Sequence, residues 1–117
     1  MYEIKVKAAF SSAHNLRNYR GKCERLHGHN WVVEAVLAYK SLDKDGLAVD
    51  FRQARKELRD VLEELDHSYL NDHPYFKKVN PTSENMARFI YTQLKKLNSH
   101  VKSVSVWEND NSCATYC

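Results

Sequence analysis

The chain has 117 residues, 43% hydrophobic and 28% charged, with three Gly and two Pro; this supports one hydrophobic core, so residues 1–117 read as a single domain, and it excludes disordered and fibrous classes. Eighteen basic residues against 15 acidic ones leave a net charge of +3, and the cations are scattered (Lys77-Lys78 and Lys95-Lys96 are mere dipeptides), which leans weakly toward anionic ligands and away from nucleic acid. The three Cys are an odd, dispersed set unlike a secreted disulfide framework, residues Met1 to Val6 lack a signal-peptide core, and no apolar run approaches the ~20 residues of a membrane span; a reduced, soluble, cytoplasmic protein without membrane contact is expected.

In chain order, Tyr2, Ile4, Val6, Ala8 and Phe10 alternate with Glu3, Lys5 and Lys7, which predicts a half-buried strand. Trp31, Val33, Ala35, Leu37 and Tyr39 share one face of a second strand. Asp43-Lys44-Asp45-Gly46 reads as a turn and Leu47-Ala48-Val49 as a short extended piece. Asp50 is placed to cap a helix, with Gln53 completing a capping box, and Phe51, Ala54, Leu58, Val61, Leu62 and Leu65 give that helix an apolar face over 51–65. Residues 66–80 read as an irregular connection. Thr82 then caps a second helix whose core face carries Met86, Ala87, Phe89, Ile90, Leu94 and Leu97. A third strand spans Val101 to Trp107, Asn109-Asp110-Asn111 is a turn, and Ala114-Thr115-Tyr116 is a final strand. The order ββααββ predicts an α+β domain: a four-stranded antiparallel sheet with both helices on one face, its open edges and face inviting oligomerisation.

The sharpest chemical signal is His27-Gly28-His29 at the entry to the second strand. Residues i and i+2 of a strand point the same way, so two imidazoles there can converge on one ion. His14 is the natural third ligand, because the loop from Asn15 to Leu26 returns the chain antiparallel and brings it beside the pair. Three neutral His without a fourth protein ligand leave a position open, which is the catalytic arrangement of zinc, although imidazoles suit copper, iron and nickel as well. The plainer alternative is a polar surface pair. His73 and His100 read as solvated.

Cys23 lies four residues before His27, with Lys22 and Arg25 nearby; a cationic setting favours thiolate as base or nucleophile. Asp66-His67 follows the first helix, where an Asp opposes the helix dipole, and the pair can act as a proton shuttle. Glu108, ending the third strand, can accept paired hydrogen bonds from a flat heterocycle. Taken singly, each also reads as an ordinary polar residue.

Together these segments resemble the 6-pyruvoyl-tetrahydropterin synthase and 6-carboxytetrahydropterin synthase family. Phe10 to His14 looks like its first ligand segment, Cys23 to Asn30 its thiol and two-ligand segment, and Gly46 to Phe51 its turn into the first helix. Leu65-Asp66-His67 with Tyr69-Leu70-Asn71 resembles the relay, Asn80 to Asn85 the start of the second helix, and Trp107-Glu108 the pterin anchor. The resemblance implies a tunnelling fold, active sites at subunit interfaces of a homo-oligomer built from trimers, a hexamer, and 7,8-dihydroneopterin triphosphate as substrate. It implies Zn2+ on His14, His27 and His29, acidifying the side-chain hydroxyls of the substrate. It further implies Cys23 as proton-abstracting base, Asp66 and His67 as the second acid–base unit, and Glu108 on the aminopyrimidinone edge. The gap of three residues between Cys23 and His27 matches the carboxy branch, which releases acetaldehyde and triphosphate on the route to queuosine. Asn109 to Tyr116 looks closer to the branch that retains a pyruvoyl side chain. Two other readings are a noncatalytic pterin- or zinc-binding module and a zinc hydrolase in which Cys23 is dispensable.

Overall fold

A computed structural model describes residues 1–117. Its two long strands, β1 (Tyr2–His14) and β2 (His27–Tyr39), form an antiparallel hairpin in which every residue of β1 has a partner, from Tyr2 opposite Tyr39 to His14 opposite His27. Helix α1 (Phe51–Leu62) follows, then the two-residue strand β3 (Ser68–Tyr69), a 3₁₀ turn at Leu70–Asp72, the short helix α2 (Pro74–Lys78), helix α3 (Ser83–Leu97), and strands β4 (Val101–Asn109) and β5 (Ser112–Tyr116).

The sheet runs β3-β1-β2-β4-β5. The α+β class stands, but the expected four-stranded antiparallel sheet is a five-stranded mixed one, because Ser68 and Tyr69 pair in parallel with Ser12 and Ala13. Two residues carry no readable alternation, so β3 is invisible to periodicity. The connection expected to be irregular also contains α2. Conversely, Leu47–Val49 form no strand.

The core lies between one sheet face and the helices. Val6 and Phe10 of β1, Trp31, Val33, Ala35 and Leu37 of β2, and Val101, Val104 and Val106 of β4 meet Ala54, Leu58 and Leu62 of α1 and Met86, Ile90 and Leu94 of α3 in one cluster. Fully burying one such aliphatic or Met side chain contributes about 1.5–3 kcal/mol. Strict alternation would put Val101 on the face of Ser103, Ser105 and Trp107; a bulge between β2 and β4, where Val36 pairs with Ser103 but Leu37 with Val101, returns it to the core.

The caps are largely as expected. The Asp50 carboxylate accepts from Arg52 N at 2.8 Å, and Thr82 Oγ1 accepts from Asn85 N at 3.1 Å; Gln53 makes no return bond, so Asp50 caps α1 alone. Helix α1 ends at Leu62, three residues short of the expected Leu65, yet Leu65 remains fully buried. Phe51 and Leu97, assigned to core faces by spacing, are 57% and 55% exposed, because each stands at a helix end beyond the reach of the sheet.

Candidate metal centre

The hairpin register builds the site. His14 pairs directly with His27, and Ser12 with His29, so the three imidazoles project from one end of the hairpin. Gly28 contributes no side chain between the two β2 ligands, and a Cβ there would meet nothing closer than Ser12 O at 3.8 Å. Ring centroids lie 4.6 Å apart for His14 and His27, 4.7 Å for His27 and His29, and 5.4 Å for His14 and His29. Glu108 joins them, and the four candidate ligand atoms fall within 4.8 Å of one another.

Hydrogen bonding fixes which nitrogens face the centre. His14 Nδ1 lies 2.8 Å from Pro81 O, and His27 Nδ1 lies 2.8 Å from Arg25 O. A carbonyl only accepts, so each Nδ1 carries the proton and each neutral ring presents a bare lone pair at Nε2. Those two Nε2 atoms face each other at 3.0 Å. Two lone pairs at that distance repel unless a cation lies between them. The spacing is near the ~3.3 Å expected of two nitrogens bound tetrahedrally at about 2.0–2.1 Å. His29 Nε2 is buried and has no hydrogen-bond partner; Glu108 Oε1 lies 2.9 Å away without bond geometry. An orphaned nitrogen and an opposed pair of lone pairs are what a divalent cation resolves, so the donor set fits a metal.

Trp31, fully buried, meets His14 and His29 edge to face at 4.9 Å each and stacks on Phe10 at 6.2 Å, forming a rigid floor. The cluster opens into a cavity of about 580 Å³ lined in part by His14, Arg17, Glu24, Thr82, Glu84 and Glu108.

Burial is the main cause that depresses the pKa of His14 below 6.5; His27 and His29 push the same way, and the Pro81 carbonyl opposes them. Below about 6.5 the unfolded chain therefore binds a proton that folded His14 resists. The stabilisation from neutral His14 is complete above that value and is lost as pH falls through the lowered folded value. Metal-free protein should lose stability on acidification below pH 6.5, seen as a falling urea midpoint, and His14→Asn should flatten the dependence.

The remaining expected site residues are placed around this centre rather than in it. Asp66 is bolted to β1: its Oδ1 accepts from Ser11 N at 2.8 Å, while His67 N donates to Ser11 O at 2.6 Å and Ser12 Oγ donates to Leu65 O. The His67 ring is 84% exposed and lies 3.6 Å from Asp66 Oδ2, so the two form a loose ion-pair geometry rather than a hydrogen-bonded relay. His67 sits at φ +52°, an uncommon conformation for a β-substituted residue and one often found at functional sites. It lines a cleft with Ser11, His29, Asn30, Ser68 and Tyr69, distinct from the cavity beside His14 but bordered by one of the three imidazole residues. Cys23 is exposed and free in the hairpin loop. Neither Cys23 nor the Asp66-His67 pair lines the cavity beside His14.

Glu108, expected at a heterocycle, stands beside the metal-facing nitrogens. One expectation changes. His73, expected to be solvated, has only 17% of its side chain exposed: Nδ1 accepts from Tyr75 N to cap α2, Nε2 approaches Glu64 at 3.0 Å, and the ring packs on Phe89. His100 is exposed as expected and stacks on Tyr39 at 4.1 Å. Asn71 and Asn80, placed by sequence only within motif segments, act as clamps: their side-chain amides each bond both backbone groups of a residue just beyond β1, Asn15 and Arg17 respectively. An Asn in a connecting segment carries no periodic signal, so only coordinates reveal such a clamp.

The family model described as 6-pyruvoyl tetrahydropterin synthase matches residues 3–117. A 6-carboxy-5,6,7,8-tetrahydropterin synthase of Synechocystis is 34% identical over 122 aligned positions, covering 99% of this chain and 93% of its own. A 6-pyruvoyl tetrahydrobiopterin synthase of Dictyostelium discoideum is 30% identical, covering 94% and 91%. The structure of Caenorhabditis elegans 6-pyruvoyl tetrahydropterin synthase superposes with a TM-score of 0.85 at 26% identity, covering 98% of this chain and 94% of the other.

Proposed function

Since the chain belongs to the 6-pyruvoyl tetrahydropterin synthase family, we propose that this pterin lyase is of the carboxy type: it converts 7,8-dihydroneopterin triphosphate and one water to 6-carboxy-5,6,7,8-tetrahydropterin, acetaldehyde and triphosphate, on a route to queuosine or related deazapurines. The observation that carries the chemistry is the convergence of His14, His27 and His29, whose inward nitrogens face one another and Glu108 in a set that a divalent cation would satisfy. The branch assignment is supported by the carboxy-type relative at 34% identity and by the three-residue gap between Cys23 and His27.

Zinc on the three imidazoles would supply Lewis acidity toward the hydroxyls of the substrate side chain. The chain's own groups do the rest. The carbonyls of Pro81 and Arg25 hold His14 and His27 in the tautomer that offers Nε2. Cys23 takes a proton from the side chain as thiolate. His67 transfers the second proton, with Asp66 holding its segment against β1. Glu108 turns from the imidazoles to the ring N–H and amino group of the pterin, where a carboxylate can take two parallel bonds.

A single subunit keeps Cys23 and His67 out of the His14 cavity, and His67 shares a cleft with His29 alone of the three ligands, which supports catalysis at subunit interfaces. The edges suit such an assembly. Strand β3 covers only Ser12 and Ala13, leaving most of β1 unpaired on that side, and the outer edge of β5 is also free. Trimers closed edge to edge, stacked into a hexamer, are the arrangement that joins the relay of one subunit to the metal of another.

The second reading, triphosphate elimination with the pyruvoyl side chain retained, is favoured by the likeness to the Dictyostelium and Caenorhabditis proteins. Incubation with 7,8-dihydroneopterin triphosphate separates the two. The carboxy reading predicts one acetaldehyde per substrate consumed and a product of carboxypterin mass; a pyruvoyl product without aldehyde contradicts it.

A further inference from the structure

His14 owes its orientation to one backbone carbonyl, that of Pro81, 2.8 Å from Nδ1 and 67 residues away in sequence. Pro81 is fully buried and bonded through no N–H of its own, so the direction of its carbonyl depends on its neighbours. Asn80 anchors them. Its Oδ1 accepts from Arg17 N at 2.8 Å, and its Nδ2 donates to Arg17 O at 2.9 Å, a reciprocal pair resembling one rung of a β-ladder. Its own carbonyl accepts from Thr82 N at 2.8 Å and from Asn85 Nδ2 at 2.9 Å. The Arg17 guanidinium donates to Phe76 O and, at 2.9 Å, to Val79 O, closing the end of α2. Asn80 thus ties the residue three beyond His14 to the residue directly before its acceptor.

Resting on the three-histidine reading of the site, we propose that Asn80 is a positioning residue for the metal: by locking Arg17 to the 79–82 segment it aims the Pro81 carbonyl at His14 Nδ1 and so holds Nε2 unprotonated and inward. Nothing in this role requires Asn80 to touch metal or substrate. A clamp that served the loop alone would leave the ring of His14 indifferent to its loss. A clamp that served the ligand would change which nitrogen of His14 carries the proton.

The test uses the full chain with and without Zn2+. Asn80→Ala should weaken zinc binding by roughly 10–100-fold in competition with a chromophoric chelator, the range for changing an outer partner of a metal ligand. Asn80→Asp keeps the acceptor for Arg17 N but loses the donor, and should fall between Asn80→Ala and wild type. In the metal-free protein, long-range ¹H–¹⁵N spectra of the His14 ring should show a single Nδ1–H tautomer for wild type and a mixture for Asn80→Ala. Val61→Ala, a core truncation on α1, controls for lost stability and should keep both wild-type affinity and the single tautomer. An Asn80→Ala protein with wild-type zinc affinity and one Nδ1–H tautomer overturns the proposal. Failure of wild type itself to bind zinc overturns the reading of the site, while the tautomer spectra still decide the role of Asn80.

Discussion

Replacing Cys23 with Ala should lower kcat by ~10²–10⁴-fold, the contribution of a positioned proton-transfer group, while zinc content remains at the wild-type level. The thiol is exposed and free, so its removal costs the fold little. It also lies outside the set of groups whose ligand atoms converge, so its removal leaves the metal centre intact. A zinc hydrolase with metal-activated water as nucleophile would be indifferent to this change, and a noncatalytic module would show no turnover to lose. Turnover on dihydroneopterin triphosphate, measured beside metal content in the same preparation, decides the matter; an active Cys23→Ala enzyme removes the proposed base.

The second large effect is expected at His27. His27→Ala should weaken zinc binding by more than ~100-fold, above the cost of altering an outer partner, and turnover should fall to background. His27 suits this test better than His14: about a third of its side chain is exposed, whereas His14 is only 4% exposed and rests on Trp31. The metal-free variant should melt no lower than metal-free wild type, because the change removes one of two lone pairs held face to face at 3.0 Å. The rise in melting temperature that zinc gives wild type, through preferential binding to the folded state, should vanish. A variant that still gains stability from zinc places the ion elsewhere.

Much of this centre was legible in the sequence because strand geometry is periodic. Even-numbered residues of β1 face the core with odd-numbered residues of β2, so His14 falls on the side of His27 and His29 once the hairpin closes. The amphipathic spacing of Ala54, Leu58, Val61 and Leu62, and of Met86, Ile90 and Leu94, likewise marked the helix faces that cover the sheet. What escaped was set by single contacts over long separations. Strand β3 exists because Asp66 and Leu65 accept from Ser11 and Ser12, not because two residues favour extension. His73 is a helix cap and packs on Phe89, roles that a lone His before a Pro does not announce. The pairing of β2 with β4 likewise delivers Glu108 beside His29, a proximity that periodicity does not show. The two asparagine clamps beyond β1 were unreadable for the same reason: their partners, Asn15 and Arg17, lie 56 and 63 residues away.

The proposed chemistry depends most on one cation held by His14, His27 and His29. X-ray absorption at the zinc edge, on protein purified with zinc and dialysed, tests it most directly. The expected result is about one ion per chain, with nitrogen or oxygen neighbours at about 2.0–2.1 Å and outer scattering from three imidazole rings. An ion lost on dialysis, or one showing sulfur at about 2.3 Å and so bound by one of the three free cysteines, would contradict it.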